Sequence, residues 1–396
     1  MNPLWFTERD LRRRWAEIKG FFWQEIDEQT RGAQKQLLEQ LLRIEREEHV
    51  GAGWHQRGRG RRDWANGYYC RDLVTSVGVI SRLMVPRSRR GVYQSEILER
   101  YRRRSAHFDR FVQRMFVLGL STRRVSRVIA QLLGQTVLSA TTVSHVVQQL
   151  RQSCQAFHRR ALTDRFAFLY LDGFSVPIRG AAKRPYTILF ALGLTASGER
   201  EMLGFRIVPA EKTIHAQAFL QDLYNRGLVG SSLQLIIHDG AAALAEAAAW
   251  IFPHVLQQGC CVHKLRNLAD RIRHSAHRRA MTYGQASAIY QAPHRQAAVA
   301  RARAFRQRWE PLEPHAVRLF LANLDDTLIF YQFDRRWWLT IKSTNLLERQ
   351  LREVRRRVRP IDAFRDETSC DTIVYGILQS MDLVPGEHSI KITQNS

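Results

Sequence analysis

The chain has 396 residues, 45% of them hydrophobic, which suits two or three domains and excludes wholesale disorder. Sixty-one Lys and Arg against 37 Asp and Glu leave +24, and only seven of those cations are Lys. An excess so rich in Arg, whose planar fork grips phosphate, calls for a polyanionic partner, nucleic acid first.

Five cysteines with no CxxC pair are too few for a disulfide scaffold. No stretch approaches 18 apolar residues, so no membrane association is expected. The opening MNPLWFTERDLRRRW lacks the apolar core of a signal peptide. The expected location is the cytoplasm, associated with the nucleoid. Residues 51 to 200 carry +18 of the +24, a localised basic surface rather than a uniform background.

In chain order, residues 21 to 48 read as a helix whose Leu37, Leu38, Leu41 and Leu42 serve either a core face or a dimer seam. A Gly/Arg-rich break spans Gly51 to Gly67. Two β-branched runs, Leu73 to Val77 and Val79 to Val85, then pivot on Gly78 as a hairpin. Pro86 and a basic loop from Arg87 to Gly91 close it, offering Arg87, Arg89 and Arg90 to phosphates. A helical register returns from Ser95. Ser121 then caps a helix carrying Val125, Val128, Ile129, Leu132 and Leu133, which stops at Gly134. Ser139 caps a second, with Val143, Val146, Val147 and Leu150 inward. Two capped helices across a Gly-containing turn match a helix-turn-helix, although an ordinary helical hairpin has the same signature. On the first reading Arg123, Arg124 and Arg127 contact phosphates, while Thr141, Thr142, Ser144 and His145 face base edges.

From Phe166 the period changes. AFLYLD, YTILFALGL and EMLGFRIV read as three strands, Ile214 to Tyr224 as a helix, and LQLIIHD as a fourth strand. This is an α/β core with some antiparallel pairing. Residues 241 to 335 read as helix throughout, an all-helical insertion. The expected organisation is a helical region (1–60), a DNA-binding region (61–160), the first part of the core (161–240), the insertion (241–335) and the core's C-terminal helices with the tail (336–396).

Asp172 and Asp239 both end apolar runs; on neighbouring strands they would project from one end of a sheet, where α/β folds place their sites. Glu348 sits on a later helix with Arg349, Arg352, Arg355, Arg356, Arg357 and Arg359. Asn345 to Glu348 also fits a capping box, so Glu348 has a structural alternative. Three carboxylates beside so many phosphate binders suit two Mg²⁺, with Mn²⁺ able to substitute, clamping the attacking and leaving oxygens of a phosphoryl transfer. Cys260 and His263, with His274 and His277, would supply four zinc ligands. The competing reading packs Cys260 in the core and leaves His263 to orient phosphate or carboxylate.

From about Gly67 to Asp382 the sequence resembles the Mutator-like DDE transposases of bacterial insertion sequences. The resemblance rests on NGYY with VPRSRRG, LGLSTRRVSRVIAQLLG with SATTVSHVV, LDGFSVPIR, HDGAAAL with FPHVLQQGCCVHKLRN, and STNLLERQLREVRRR. It implies an RNase H-like core interrupted by a helical insertion, and catalytic roles for Asp172, Asp239 and Glu348. It also implies Mg²⁺-dependent cleavage at element ends followed by attack of the freed 3′-hydroxyl on target DNA. Double-stranded DNA (terminal repeats and target) and a homodimer or larger assembly are the implied partners. A nuclease without strand transfer and a DNA-binding regulator derived from a transposase remain the alternatives.

Overall fold

Leucines three and four residues apart wind Glu8–Val50 into one helix, α1, longer at both ends than expected. The computed structural model describes residues 8–53, 60–91, 93–98, 103–133, 135–179, 185–361 and 363–384, with side chains from Trp23 onward. Gly134, the expected helix stop, lies outside them. The chain divides into two compact units, residues 1–149 and 150–396.

In the first unit the leucine stripe of α1 is divided. Leu42 is fully buried and Leu38 packs beside it against Leu73, Ile80, Leu83 and Val85, whereas Leu37 and Leu41 are exposed. Those partners belong to a hairpin of β1 (Ala65–Thr75) and β2 (Gly78–Ser88). Gly78 turns at a φ of +127°, a conformation open to glycine, and the Thr75 hydroxyl donates to its carbonyl at 2.9 Å. The hairpin is longer than expected, so Pro86 and Arg87 lie within β2 and not in a closing loop.

The helix expected from Ser95 begins only at Ala106. The Ser95 hydroxyl is drawn to the Glu45 carboxylate at 2.6 Å and accepts from the Leu98 N–H, a local turn that competes with helix. Ser105 then caps α2 (Ala106–Val117). Ser121 and Ser139 accept the N–H groups of Arg124 and Thr142 and so start α3 (Thr122–Leu133) and α4 (Ala140–Arg159) as expected. Phe108, Val112, Met115, Val125, Ile129, Leu138, Val143 and Val146 form their shared core. Leu132 is 64% exposed and takes no part in it.

The second unit is built on a mixed sheet of order β5-β4-β3-β6-β7. The strands are β3 (Phe166–Val176), β4 (Tyr186–Thr195), β5 (Arg200–Val208), β6 (Leu235–His238) and β7 (Leu256–Gly259). β4 pairs antiparallel with β3 and β5, while β6 runs parallel to β3 and β7. Leu169, Leu171, Ala191, Leu203 and Ile236 pack against α5 (Thr213–Asn225) and α6 (Ala242–Ile251). Alternation turns Tyr170 and Asp172 to the opposite face.

Two expectations are corrected here. Residues 241–335 are not all helical, because β7 joins the sheet. LQQG is polar and carries no hydrophobic run; it is held instead by Gln258, fully buried, whose amide donates to Thr327 O and accepts from Phe330 N. And β3 does not end at Asp172, since β4 continues the pairing to Val176.

Beyond β7 come α7 (Cys261–Arg271) and α8 (Ser275–Arg278), which runs through a π-helical stretch, Arg279–Ala286, into α9 (Ser287–Ile289). Next are α10 (Arg295–Trp309), α11 (Pro314–Leu321), short 3₁₀ turns, and α12 (Trp338–Ile341). The chain returns to the sheet with α13 (Asn345–Val358) and α14 (Glu367–Gln379). Among the described residues no helix is long and apolar enough to cross a membrane.

Candidate active site at the carboxylate end of the sheet

The parallel register of β3 and β6 sets Leu171 opposite His238. The next residue on each strand is therefore the carboxylate, so Asp172, within β3, and Asp239, just past β6, come to neighbouring positions. Asp239 sits just past β6, where its Oδ1 accepts the Ala241 N–H at 2.9 Å and Gly240 turns the chain at a φ of +92°. Asp172 stays inside β3 and is 3% exposed. Its Oδ1 accepts the Gly173 N–H at 2.8 Å, but its buried Oδ2 has no hydrogen-bond partner.

Burial raises the Asp172 carboxyl to about 6, and the Asp239 charge adds to the rise. The Gly173 N–H and the charges of Arg355 and His263 offset only part of it. Arg355 lies with its Nη2 3.8 Å from Asp172 Oδ2, donates to Gly173 O at 3.3 Å, and stacks over the Phe174 ring at 4.9 Å.

Glu348 reaches this end through a chain of tethers. The Cys260 N–H, just past β7, donates to His238 O at 2.8 Å, and the Cys261 N–H donates to Lys342 O at 3.1 Å. The Thr344 N–H donates to Cys260 Sγ at 3.4 Å, and the Thr344 hydroxyl oxygen lies 3.3 Å from the same sulfur. Thr344 is fully buried, caps α13, and gives its hydroxyl to Glu348 Oε1 at 2.9 Å. The alternative capping box does not form: α13 starts at Asn345, and the Glu348 side chain accepts the Thr344 hydroxyl.

His263 lies on α7 with Nδ1 3.7 Å from Glu348 Oε1. Its hydrogen bond with Cys260 raises the imidazole above its usual range against the pull of burial, and the charges of Glu348 and Asp172 contribute. Burial pushes the other way at Cys260, yet the bonds from His263 and Thr344 hold its thiol below the ordinary value. Burial holds the His238 imidazole below its ordinary value, and its Nδ1 accepts the Gly240 N–H at 3.1 Å.

Cys260, His263 and Glu348 bring one donor atom each within 4.8 Å of one another. Asp172, Asp239 and Glu348 do not form so tight a group among the described residues. His274 and His277 do not join Cys260 and His263 either, so the four-ligand zinc set is not assembled. His277 Nδ1 lies 3.0 Å from Glu313 Oε1, and the His274 N–H donates to the same carboxylate.

Sequence reasoning missed one acidic group here. Glu211, in the loop before α5, has a carboxyl raised by partial burial and by the Asp239 charge. A lone Glu after a strand carries no spacing signal that would have found it.

Arg349 and Arg352 are exposed on α13, whereas Arg356 and Arg357 are clamped on Glu353 at 2.7 Å. In the first unit, Arg87, Arg89, Arg90, Arg123, Arg124, Arg127, Thr141, Ser144 and His145 are exposed. Thr142 is half-buried and engaged with the Ser139 cap. Arg87 and Arg90 stack over Tyr69 and Trp64 at 4.8 and 5.5 Å.

Comparison with known proteins adds the family context. The sequence profile described as "Transposase, Mutator family" matches residues 8–383. The chain is 30% identical over 349 residues to the transposase for insertion sequence element IS905 of Lactococcus lactis, covering 88% of each protein. It is 31% identical to the transposase for IS406 of Burkholderia multivorans, over 87% of this chain and 88% of that one. With the transposase for IS256 in transposon Tn4001 of Staphylococcus aureus it shares 30% identity over 88% of both.

Proposed function

Because the chain belongs to the Mutator family of transposases and is a DNA transposase, we propose that it works as a DDE enzyme with Asp172, Asp239 and Glu348 as the catalytic carboxylates. The observation that carries this reading is the β3–β6 register, which supports neighbouring positions for the two carboxylates, together with a buried Asp172 Oδ2 that makes no hydrogen bond and has only the Arg355 guanidinium at 3.8 Å. A buried carboxylate oxygen with no hydrogen bond, next to a second carboxylate and only loosely paired with a guanidinium, is costly unless a cation completes it. The donor set is hard oxygen, which suits Mg²⁺ or Mn²⁺, so the residues fit the ion that the family implies. When bound, two such ions would supply positive charge to the attacking and leaving oxygens of phosphodiester transfer.

The chain's own groups do the rest. Asp172 and Asp239 hold the cations, and Glu348, with Oε1 occupied by the Thr344 hydroxyl, keeps its other oxygen for the same task. His263, biased towards its charged form, adds a positive charge beside the scissile phosphate. Arg355 screens Asp172 in the DNA-free protein and can turn to a phosphate when DNA arrives, while Arg349 and Arg352, exposed on α13, line the backbone. In the first step a water oxygen bonds to phosphorus and the P–O3′ bond breaks, freeing a 3′-hydroxyl. In the second that hydroxyl bonds to a target phosphorus, expels the target's 3′-oxygen, and gives up its proton.

Strand order 3-2-1-4-5 counted from β3, with the second strand antiparallel, supports an RNase H-like core. The helices α3 and α4, capped by Ser121 and Ser139 over one core, support a helix-turn-helix that reads element ends, with Arg87, Arg89, Arg90, Arg123, Arg124 and Arg127 on phosphates. Joining two ends calls for at least a homodimer.

The test uses duplexes carrying the element's end, in Mg²⁺, with wild type and Asp239→Asn. Wild type should nick the end and join a pre-cleaved end to target DNA; the variant should bind the end and do neither. Cleavage without joining by wild type would identify a nuclease instead. Binding without any Mg²⁺- or Mn²⁺-dependent chemistry would identify a regulator.

A further inference from the structure

In the second unit, three more donors meet where neither the family nor the proposed chemistry needs them. Cys154 and His158 are four residues apart on α4 and so share one helix face. Asp371, on α14, faces both of them. The Cys154 thiol lies 3.2 Å from Asp371 Oδ2, and His158 Nε2 lies 3.0 Å from Asp371 Oδ1. One donor atom from each residue falls within 4.8 Å of the other two. We infer that Cys154, His158 and Asp371 form a three-ligand zinc site, completed by water, that ties the C-terminal half of α4 to α14.

Three features carry this beyond a hydrogen-bonded trio. First, the thiol and the ring nitrogen each lie within 3.2 Å of an Asp371 oxygen, so small shifts reach the roughly 3.3 to 3.8 Å donor separations of a tetrahedral ion with bonds of about 2.0 to 2.3 Å. Each Asp371 oxygen already faces a different partner. Second, the His158 ring is fixed before any ion arrives, edge-on to Phe205 at 4.8 Å and to Phe157 at 5.4 Å. Preset ring orientation is what a metal-ligating histidine requires. Third, the cluster is buried on one side and open on the other. Cys154 is 1% exposed, while His158 and Asp371 line a cleft of about 360 Å³ shared with Arg151, Gln155, Arg206 and Thr368. That cleft gives an ion a way in and a water for the fourth position.

A thiolate–imidazole–carboxylate set is too soft for Mg²⁺ and suits Zn²⁺. On binding, Zn²⁺ forms bonds to sulfur, nitrogen and oxygen, and the thiol proton leaves to solvent. The site therefore differs in chemistry from the all-carboxylate Asp172–Asp239–Glu348 set, and it survives even if the proposed catalytic roles fail.

The test loads the full-length, chelator-stripped chain with Zn²⁺ or Co²⁺ alone, without DNA. Wild type should take up one more Zn²⁺ per chain than Cys154→Ser and, with Co²⁺, show a thiolate-to-cobalt charge-transfer band in the near ultraviolet. Cys154→Ser should lose the band, and His158→Gln should weaken Zn²⁺ binding at least about tenfold, since losing a ligand costs more than losing its support. Cys260→Ala should keep both, which separates this site from the donors near Glu348. If Cys154→Ser does not fold, His158→Gln and the Zn²⁺-dependent rise in the melting temperature of wild type decide the matter. Failure of wild type to bind Zn²⁺, or a band that follows Cys260 and not Cys154, would overturn the inference.

Discussion

Two buried carboxylates in the same unit, Asp172 in β3 and Glu313 before α11, are 3% and 2% exposed, yet their acidities move in opposite directions. Burial works to raise both. At Glu313 the N–H groups of His274 and Arg273 and the His277 ring more than offset it, and the carboxyl ends below its ordinary value. Asp172 has one N–H, a guanidinium 3.8 Å away and a like charge nearby, and it rises to about 6. Glu313 is completed by its own chain, which makes its charge structural. Asp172 is left incomplete, which marks it for a partner from outside.

The largest expected effect separates these two directly. Asp172→Asn should lower end cleavage and joining in Mg²⁺ by at least about a thousandfold, because carboxylates acting as one unit fail together. Glu313→Gln should leave both within a few-fold of wild type. Equal losses from the two changes would erase the distinction.

Stability should divide the other way. In EDTA, Asp172 is protonated in the folded chain between about pH 4 and 6, while the unfolded chain has already lost that proton. Its contribution is therefore fully present below pH 4 and declines as pH rises through 6, by up to about 3 kcal/mol. Asp172→Asn should remove that decline and stabilise the metal-free protein at pH 8 by roughly 1–3 kcal/mol, read from urea unfolding. Glu313, held low, behaves oppositely: its contribution is present above its ordinary pKa and is lost as pH falls. Glu313→Ala, which removes the acceptor of two backbone N–H groups, should cost about 1–3 kcal/mol at pH 8.

The same contrast holds among the cations and gives the smallest effect. Arg356 spends its guanidinium on Glu353, whose carboxyl is lowered to about 2 by Arg356 and Arg357 in spite of some desolvation. Arg123, Arg124 and Arg127 are exposed on α3. Changing those three to Gln together should flatten the log–log salt dependence of DNA binding by roughly 2 to 3, and Arg356→Gln by less than about 1. An equal change per residue would mean that Glu353 releases its partners when DNA binds.

What could be read from the sequence follows the physics of each element. Apolar runs such as LYLD and IIHD announced β3, β6 and the two aspartates, because buried central strands must be hydrophobic on both faces. LQQG did not announce β7, since this edge strand is held by a buried glutamine and not by apolar side chains. Glu348 was legible from its Arg-rich helix, but its anchoring was not. That depends on the Thr344 hydroxyl meeting Cys260 across 84 residues. The Cys154–Asp371 pairing spans 217 residues and likewise leaves no local trace. The leucine stripe of α1 was readable as apolar, but only packing on the hairpin decides that Leu38 and Leu42 go in while Leu37 and Leu41 stay out.

The central claim is that Asp172, Asp239 and Glu348 act on DNA as one set, and Glu348 tests it best because it alone comes from a helix with a structural alternative. The measurement is the rate at which folded Glu348→Gln joins a pre-cleaved element end to target DNA in Mg²⁺, with end binding as the control. Binding at wild-type strength with joining abolished, and no further loss on adding Asp172→Asn, is the predicted result. Joining at near the wild-type rate would contradict the account and return Glu348 to a structural role at the start of α13.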